Sequence, residues 1–171
     1  IQNPKSKIQN PTSLLISGGC DAQGRVPVTA HLDAIRALRP GRRLNWHVGL
    51  IDQADLEAIR PYVDTVSFDL VGDDETIQEV YGMDRTVDDY AACYQRLRAA
   101  VPVTPHLTIG LRGGQMGHER PALQLLQTLG ASALIFLVFI PTPGTRYANR
   151  QPPAVEEVVD ILVEARLMFP T

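Results

Sequence analysis

The chain contains 171 residues with a formal net charge of -3; 44% of them are hydrophobic and 20% are charged. That length allows one domain with a substantial core, and the nearly balanced charge argues against nucleic-acid binding, which depends on clustered Lys and Arg. No apolar run reaches the roughly 18 residues of a membrane-spanning helix. Cys20 and Cys93 alone cannot build a disulfide framework or a cysteine metal site. A protein of the reducing cytoplasm is therefore predicted, with neither nucleic acid nor membrane as a partner.

The first residues differ in character from the rest of the chain. The segment Ile1–Pro4 recurs as Ile8–Pro11, with Lys-Ser-Lys between the two copies. Polar repetition that carries prolines buries little apolar surface, so residues 1–12 are predicted to form a disordered or appended polar tail. The folded domain is predicted to comprise residues 13–171.

Five short runs of apolar or β-branched residues then follow and predict strands. These runs are Ser13–Ser17, Leu44–Leu50, Thr65–Leu70, Val103–Leu111 and Ala133–Ile140. Apolar residues at helical spacing predict five helices between and after them, marked by Leu32, Ile35 and Leu38; Leu56, Ile59 and Val63; Tyr90, Cys93, Tyr94 and Leu97; Leu123, Leu126 and Leu129; and Val155, Val158, Val159, Leu162 and Ala165. Asp52 and Thr86 are predicted N-caps, and Gly130 is a predicted helix end.

Repeated alternation of strand and helix predicts a parallel sheet with right-handed crossovers. The glycines and polar residues that could bind a ligand follow the carboxyl ends of all five strands, which is typical of a (β/α) barrel. A doubly wound open sheet would gather them at one switch point instead. The predicted fold is therefore α/β, a partial parallel TIM-like barrel of about five β/α units.

Two candidate ligand contacts follow the first and third strands. Gly18 and Gly19 would let a ligand approach the backbone closely, although a tight turn without a ligand explains them equally simply. Ser67 and Asp69 share one face of their strand and would suit hydroxyl groups such as those of a ribose, unless Asp69 only caps its own loop. The acidic run from Asp73 to Glu75 is predicted to be a solvated helix start, because it lacks the ligand spacing of an EF-hand.

Further candidates follow the fourth and fifth strands. Gly110 and Gly113 belong to a glycine-rich loop, and Arg112 between them could either clamp a carboxylate or form a surface salt bridge. The prolines after Ile140 leave its carbonyl free to accept from an amino group such as that of adenine, or merely stiffen the loop at Pro141. The four histidines are scattered along the chain and are each interpreted as a hydrogen-bonded core or surface residue.

Taken in order, these segments resemble the core of the radical S-adenosylmethionine (SAM) superfamily, in its biotin-synthase-related branch. Ser17-Gly18-Gly19 resembles the Gly-Gly-Glu element that holds the methionyl amino group of SAM. Ser67 and Asp69 match the positions that contact the ribose. The glycine loop from Gly110, through Arg112 to Gly113, and the segment at Ile140 and Pro141 are similar to the two strands beside the adenine.

The resemblance implies SAM and a [4Fe–4S] cluster as cofactors, but two features depart from the family pattern. Cys20 stands where the family has Glu, so Asp21 is the remaining candidate for the amino group. The CxxxCxxC loop that ligates the cluster is not in this sequence, and no metal ligand is predicted. The expectation is an inactive, N-terminally truncated chain that lacks the first strand-helix unit of the barrel.

The same resemblance implies a small-molecule or carrier-bound substrate, and a partner protein that covers the open barrel edge. A weaker likeness is to one partner of a two-protein lipoyl synthase, which inserts sulfur into an octanoyl chain. Two other functions stay open: an ordinary β/α-barrel lyase, and a non-catalytic scaffold or partner subunit. A Schiff-base lyase is disfavoured because the lysines of the chain are Lys5 and Lys7, in the predicted tail.

Overall fold

The computed structural model describes residues 11–170, so the predicted tail over residues 1–12 lies almost entirely outside the described part. Five strands form one parallel sheet in the order β1-β2-β3-β4-β5, which curls into a half-barrel. The strands are β1 (Ser13–Ile16), β2 (Arg43–His47), β3 (Thr65–Asp69), β4 (Val103–Ile109) and β5 (Ile135–Val138). The predicted partial TIM-like barrel is confirmed.

Helices connect the strands and cover one side of the sheet. They are α1 (Leu32–Leu38), α2 (Gln53–Ile59), α3 (Asp74–Thr76), α4 (Val87–Ala100), α5 (Glu119–Leu129) and α6 (Val155–Met168). Short 3-10 turns at Val28–His31 and Arg60–Tyr62 flank the first two helices, and a π-helical turn, Ile77–Tyr81, continues α3. Within residues 11–170, no helix combines the length and apolarity that a membrane crossing requires.

The predicted helix boundaries are confirmed at several caps. The Asp52 carboxylate accepts from the amide of Asp55 at 2.9 Å, and Thr86 forms a capping box with Asp89. The acidic run after β3 is a helix start, as predicted, because the Asp73 carboxylate accepts from the Thr76 amide at 2.6 Å. These side chains satisfy amide groups that the first turn of a helix leaves without partners.

All five strands are shorter than predicted, and three of them end early for reasons in the backbone. β2 ends at His47 rather than Leu50 because Gly49 adopts a φ of 61°, which a strand does not allow. β4 ends at Ile109 because Gly110 has a φ of 73°. β5 ends at Val138 because the strand beside it has already finished, although the Phe139 amide still donates to the Ile109 carbonyl.

The two faces of the sheet differ in chemistry. The face toward the helices is apolar and buried; Trp46 and Leu107 have no exposed surface there, and Phe68 packs against the rings of Tyr90 and Tyr94 at centroid distances of 6.1 and 5.9 Å. The opposite, inner face of the half-barrel carries polar side chains on β2, β3 and β4. Because residues alternate between faces along a strand, this pattern separates a packing face from a face that is free to bind.

The β5 side of the half-barrel keeps exposed apolar side chains. Ile135 and Leu137 are 43% exposed, and Ile140 is 74% exposed. α6 adds exposed valines and leucines of its own, among them Val155 and Leu167. The apolar surface on this side of the sheet is therefore not covered by any of the described residues.

Candidate functional site

The inner face brings together polar residues from three adjacent strands. His47 of β2 lies beside Ser67 of β3, and Asp69 of β3 lies beside His106 of β4, as the parallel register dictates. All four residues point away from the helices because each lies one or three positions from a buried apolar residue of its strand. The sheet itself therefore positions this polar group, without help from loops.

Asp69 lies between two imidazole rings. Its Oδ2 atom is 3.6 Å from Nδ1 of His47, and its Oδ1 atom is 3.6 Å from Nδ1 of His106. The two rings meet edge to face with centroids 5.3 Å apart. The structure thus gathers two histidines that the sequence placed in separate units and that were interpreted there as hydrogen-bonded core or surface residues; for His106 the hydrogen bond was wrongly predicted, because its ring nitrogens have no such partner among the described residues.

His106 is the most enclosed member of this group. It is 9% exposed, and within the described residues neither of its ring nitrogens has a hydrogen-bond partner. Burial lowers the pKa of His106, because a charged imidazolium is poorly solvated there; the Asp69 charge opposes this shift and His47 adds to it. The neutral form of the ring is therefore favoured, and both of its nitrogens are enclosed by neighbouring atoms.

Ser67 already has a partner. Its hydroxyl donates to Oδ1 of Asn45 at 3.1 Å and accepts from Nδ2 of the same side chain at 2.9 Å. Ser67 is only 4% exposed. The hydroxyl therefore fixes the Asn45 amide on the inner face, and its predicted role as a ribose contact stays a prediction.

A cavity of about 250 Å³ opens at the carboxyl ends of β1, β2 and β3. It is lined by Ser17, Gly18, Cys20, Gly24, Val26, His47, Gly49, Leu50, Ser67, Phe68, Asp69, Tyr81, Met83 and Tyr90. A Cβ atom built on Gly19 would meet nothing within 4 Å, and one on Gly18 would meet only Val26 at 3.5 Å. Internal packing therefore does not require glycine here, and the backbone at this turn is open to a ligand.

Tyr81 is a cavity residue that the sequence analysis missed. It ends the π-helical turn, and Gly82 follows it with a left-handed φ of 63°. Tyr81 as a whole is 39% exposed, but desolvation of its hydroxyl at the cavity raises its pKa, and the charges of Asp69 and Cys20 raise that pKa further. A π-turn often marks a functional position, but the sequence signal was only a tyrosine before a glycine.

The Asp21 carboxylate is engaged by its own turn. It accepts from the amides of Gln23 and Arg25, each at 2.9 Å, and forms a salt bridge with the Arg25 guanidinium at 3.1 Å. The hydrogen bond from the Arg25 amide is the main cause that lowers the pKa of Asp21. Asp21 is nevertheless exposed, and its predicted contact with a ligand amino group stays a prediction.

Arg112 forms the salt bridges that were one of its two predicted roles. Its guanidinium lies 2.7 Å from Glu75 and 2.8 Å from Glu79. The Tyr147 hydroxyl donates to Glu79 at 2.8 Å; this bond, followed by the one from Arg112, lowers the pKa of the Glu79 carboxyl. The cluster ties the loop after β4 to the helical turn after β3, and a ligand role for Arg112 stays a prediction.

The glycine-rich loop after β4 is packed by the chain itself. A Cβ atom on Gly110 would lie 2.9 Å from the Pro153 ring, and one on Gly113 would lie 2.9 Å from the Tyr147 ring. The buried Glu119 carboxylate also accepts from the Gly110 amide at 2.7 Å. The close approach that these glycines predict is thus made by residues 147–153, and their contact with a cofactor stays a prediction.

The segment after β5 lies at the same end of the sheet, as the parallel order requires. The Ile140 carbonyl accepts from the Thr142 hydroxyl at 3.3 Å, and the Thr142 carbonyl accepts from the Thr145 hydroxyl at 2.7 Å. The Ile140 carbonyl keeps a second lone pair for another donor. Ile140 and Pro141 are not among the residues that line the cavity, so their predicted adenine contact also stays a prediction.

The cysteines do not provide a cluster site. Cys20 is exposed at the cavity, whereas Cys93 is buried on α4 near the carbonyls of Gly49 and Ile51. Burial raises the pKa of the Cys93 thiol to about 11, which disfavours the thiolate that iron requires. Within residues 11–170 no three His, Cys, Asp or Glu side chains are arranged to hold a metal ion. The described residues therefore do not fit a [4Fe–4S] cluster.

No family model and no curated protein matches the chain. Among solved structures, the chain is similar to methylornithine synthase, PylB, with a TM-score of 0.68 and 17% sequence identity. The match covers 93% of this chain and 48% of the PylB chain, so the chain spans about half the length of that protein. The similarity shows the fold, a partial (β/α) barrel, and in this chain the cavity lies at the carboxyl ends of the strands.

Proposed function

We propose that this chain forms the SAM-binding core of a radical SAM enzyme of the biotin-synthase-related branch. The observation that carries the proposal is the cavity at the carboxyl ends of β1 to β3, whose lining includes both Gly18, at an open glycine turn, and Asp69. The similarity to PylB, itself a radical SAM enzyme, supports the proposal. Sulfur insertion is one reaction of this branch, and nothing on the inner face selects it.

The proposed contacts follow from the chemistry of each position. The Gly18 and Gly19 backbone accepts the methionyl end of SAM, because no side chain obstructs it. Asp69 accepts from the ribose hydroxyls, and its negative charge favours a sulfonium cation nearby. Tyr81 borders the cavity and supplies an aromatic wall.

When bound together with a reduced cluster, SAM supplies hydrogen-atom abstraction from a substrate. The described residues do not fit that cluster, so no catalytic step is assigned to them. Their part in the reaction is to bind SAM, to orient it toward the inner face and to limit the access of water. The alternative function, a non-catalytic scaffold, differs in predicting no SAM binding.

Calorimetric titration of SAM into the purified chain tests the proposal. Saturable binding is expected, and an Asp69→Asn variant should bind at least about tenfold more weakly, because it loses the charge that faces the cation. Asp160→Asn is the matched control, since Asp160 is an exposed residue of α6 far along the chain from the cavity. Absence of binding, or equal affinity in both variants, would contradict the proposal and favour the scaffold.

A further inference from the structure

Segments that follow three successive strands meet at the Glu79 carboxylate. Glu79 lies in the π-helical turn Ile77–Tyr81, which follows β3, and its side chain is 29% exposed. Arg112, after β4, approaches the carboxylate with Nε at 3.0 Å and Nη2 at 2.8 Å, and the Tyr147 hydroxyl, after β5, donates to it at 2.8 Å. Of these three segments only the turn lines the cavity, through Tyr81.

The backbone of the turn is held by the same loops. The chain leaves the helical path at Gly82, which has a φ of 63°, so the last carbonyls of the turn lie outside a helical hydrogen-bond ladder. The Gln78 carbonyl accepts from the Gly82 amide at 3.0 Å, and the Glu79 carbonyl accepts from Nη1 of Arg146 at 2.5 Å. A guanidinium at this end of a helical turn also offsets the partial negative charge of its carbonyls. The loop after β5 therefore fixes the end of the turn on which Tyr81 lies.

The position of Tyr81 depends on this backbone more than on contacts of its own side chain. Tyr81 is 39% exposed, and its hydroxyl forms no hydrogen bond with any other described residue. Residues two apart in a helical turn do not face each other, so Glu79 can face the loops while Tyr81 faces the cavity. A π-helical turn is rare and forms only in short pieces. Its geometry here is accordingly supported by contacts from outside the turn.

We propose that Glu79 is a positioning residue of the cofactor cavity: it anchors the π-helical turn to the loops after β4 and β5 and so places Tyr81 in the cavity wall. The inference rests on the proposed function in treating this cavity as the SAM site, and it adds a physical link between that site and the two loops. Loss of the Glu79 charge releases Arg112 and Tyr147 together, so Tyr81 moves toward solvent. Glu79 itself contacts no ligand.

NMR spectra of the full chain with isotope-labelled tyrosine rings test this placement without SAM. The Tyr81 signal is assigned by its loss in a Tyr81→Phe variant. In Glu79→Gln this signal should shift toward the position of a free tyrosine. The signals of Tyr90 and Tyr94, which pack against Phe68, should stay in place. A role in overall stability alone would not move Tyr81 selectively.

Glu75→Gln is the matched control. It removes the same charge from beside Arg112, since Glu75 lies 2.7 Å from that guanidinium, but the Glu75 side chain is 73% exposed and lies at the start of α3. The Tyr81 signal should not move in this variant. SAM titrated into the two variants should bind at least about tenfold more weakly to Glu79→Gln than to Glu75→Gln.

Tyr147→Phe keeps the test decisive if Glu79→Gln does not fold. It removes one donor to Glu79 and keeps the ring that packs against Gly113, so it should shift the Tyr81 signal in the same direction by a smaller amount. The inference is overturned if Tyr81 stays in place in the folded variants or moves no further than Tyr90. Equal SAM affinity in Glu79→Gln and Glu75→Gln would also overturn it and leave the proposed function standing. If the native protein does not bind SAM, only the proposed function fails, because the tyrosine spectra still test Glu79.

Discussion

Replacement of the buried Glu119 by Gln should destabilise the fold through one small group of hydrogen bonds. The Glu119 carboxylate accepts from the Gly110 amide at 2.7 Å and from the Gly117 amide at 2.6 Å, and the residue is 1% exposed. It therefore joins both ends of the glycine-rich loop to the start of α5. A Gln side chain offers one carbonyl acceptor and one NH₂ donor, so one backbone amide would lose its partner and face another donor.

The size of the expected loss of stability follows from these two hydrogen bonds. A buried donor without a partner costs about 1–3 kcal/mol, and the bond that remains loses the extra strength of a charged acceptor. Part of this cost is offset because the neutral amide is easier to bury than a carboxylate. The expected loss in the free energy of unfolding is about 2–3 kcal/mol, which at a urea slope of about 2 kcal/mol per M lowers the midpoint by about 1–1.5 M.

Urea denaturation followed by circular dichroism measures this shift, with Glu156→Gln as the matched control. Glu156 also lies in the first turn of a helix but is exposed, so its replacement removes only the favourable interaction with the helix dipole, about 0.3–1 kcal/mol. A shift of the midpoint that is as small in Glu119→Gln as in the control would refute the reasoning, since the backbone amides would then not depend on the carboxylate.

Three further outcomes are expected. In the native protein a thiol reagent at pH 8 should modify Cys20 rapidly and Cys93 only on unfolding, because burial raises the pKa of Cys93 to about 11; rapid reaction of both thiols would contradict this. The pKa of His106 is lowered in the folded state, so the unfolded chain binds more protons and the free energy of unfolding should fall as the pH drops below about 6.5. A His106→Asn variant should show a smaller fall, and an identical pH profile in the two proteins would contradict this assignment to His106. Gly72→Ala should prevent stable folding, because the added Cβ atom would overlap backbone atoms at the start of α5. The Cβ atom added by Gly19→Ala meets nothing within 4 Å, so this variant should keep the urea midpoint of the native protein. Equal midpoints in the two variants would refute the packing argument.

Much of the fold could be predicted because strand and helix differ in period. Runs such as Thr65–Leu70 predicted a strand that the structure confirms as β3, and the caps at Asp52 and Thr86 predicted helix starts correctly. The predicted apolar face of α6 was less accurate. Val155 and Val159 are 72% and 48% exposed, because α6 buries only a narrow stripe of its surface against its neighbours.

The candidate site was harder to predict, because it depends on register. Alternation alone placed Asp69 on the inner face, and that is where it lies. The meeting of His47 with His106 was missed, since the two residues are separated by two β/α units and neither has a distinctive sequence context. Only the pairing of Asp69 with His106 across β3 and β4, and the curvature of the sheet, bring both rings to one carboxylate.

The sequential strand order has a consequence for how the protein is made. Each strand pairs with the strand that precedes it in the chain, so a nascent polypeptide can extend its sheet at one edge as each unit leaves the ribosome. The contact between His47 and Asp69 becomes available once β3 has been synthesised. His106 joins them only after Val103–Ile109 has emerged, so a nascent chain between these two points holds one of the two imidazole rings that meet Asp69 in the finished sheet.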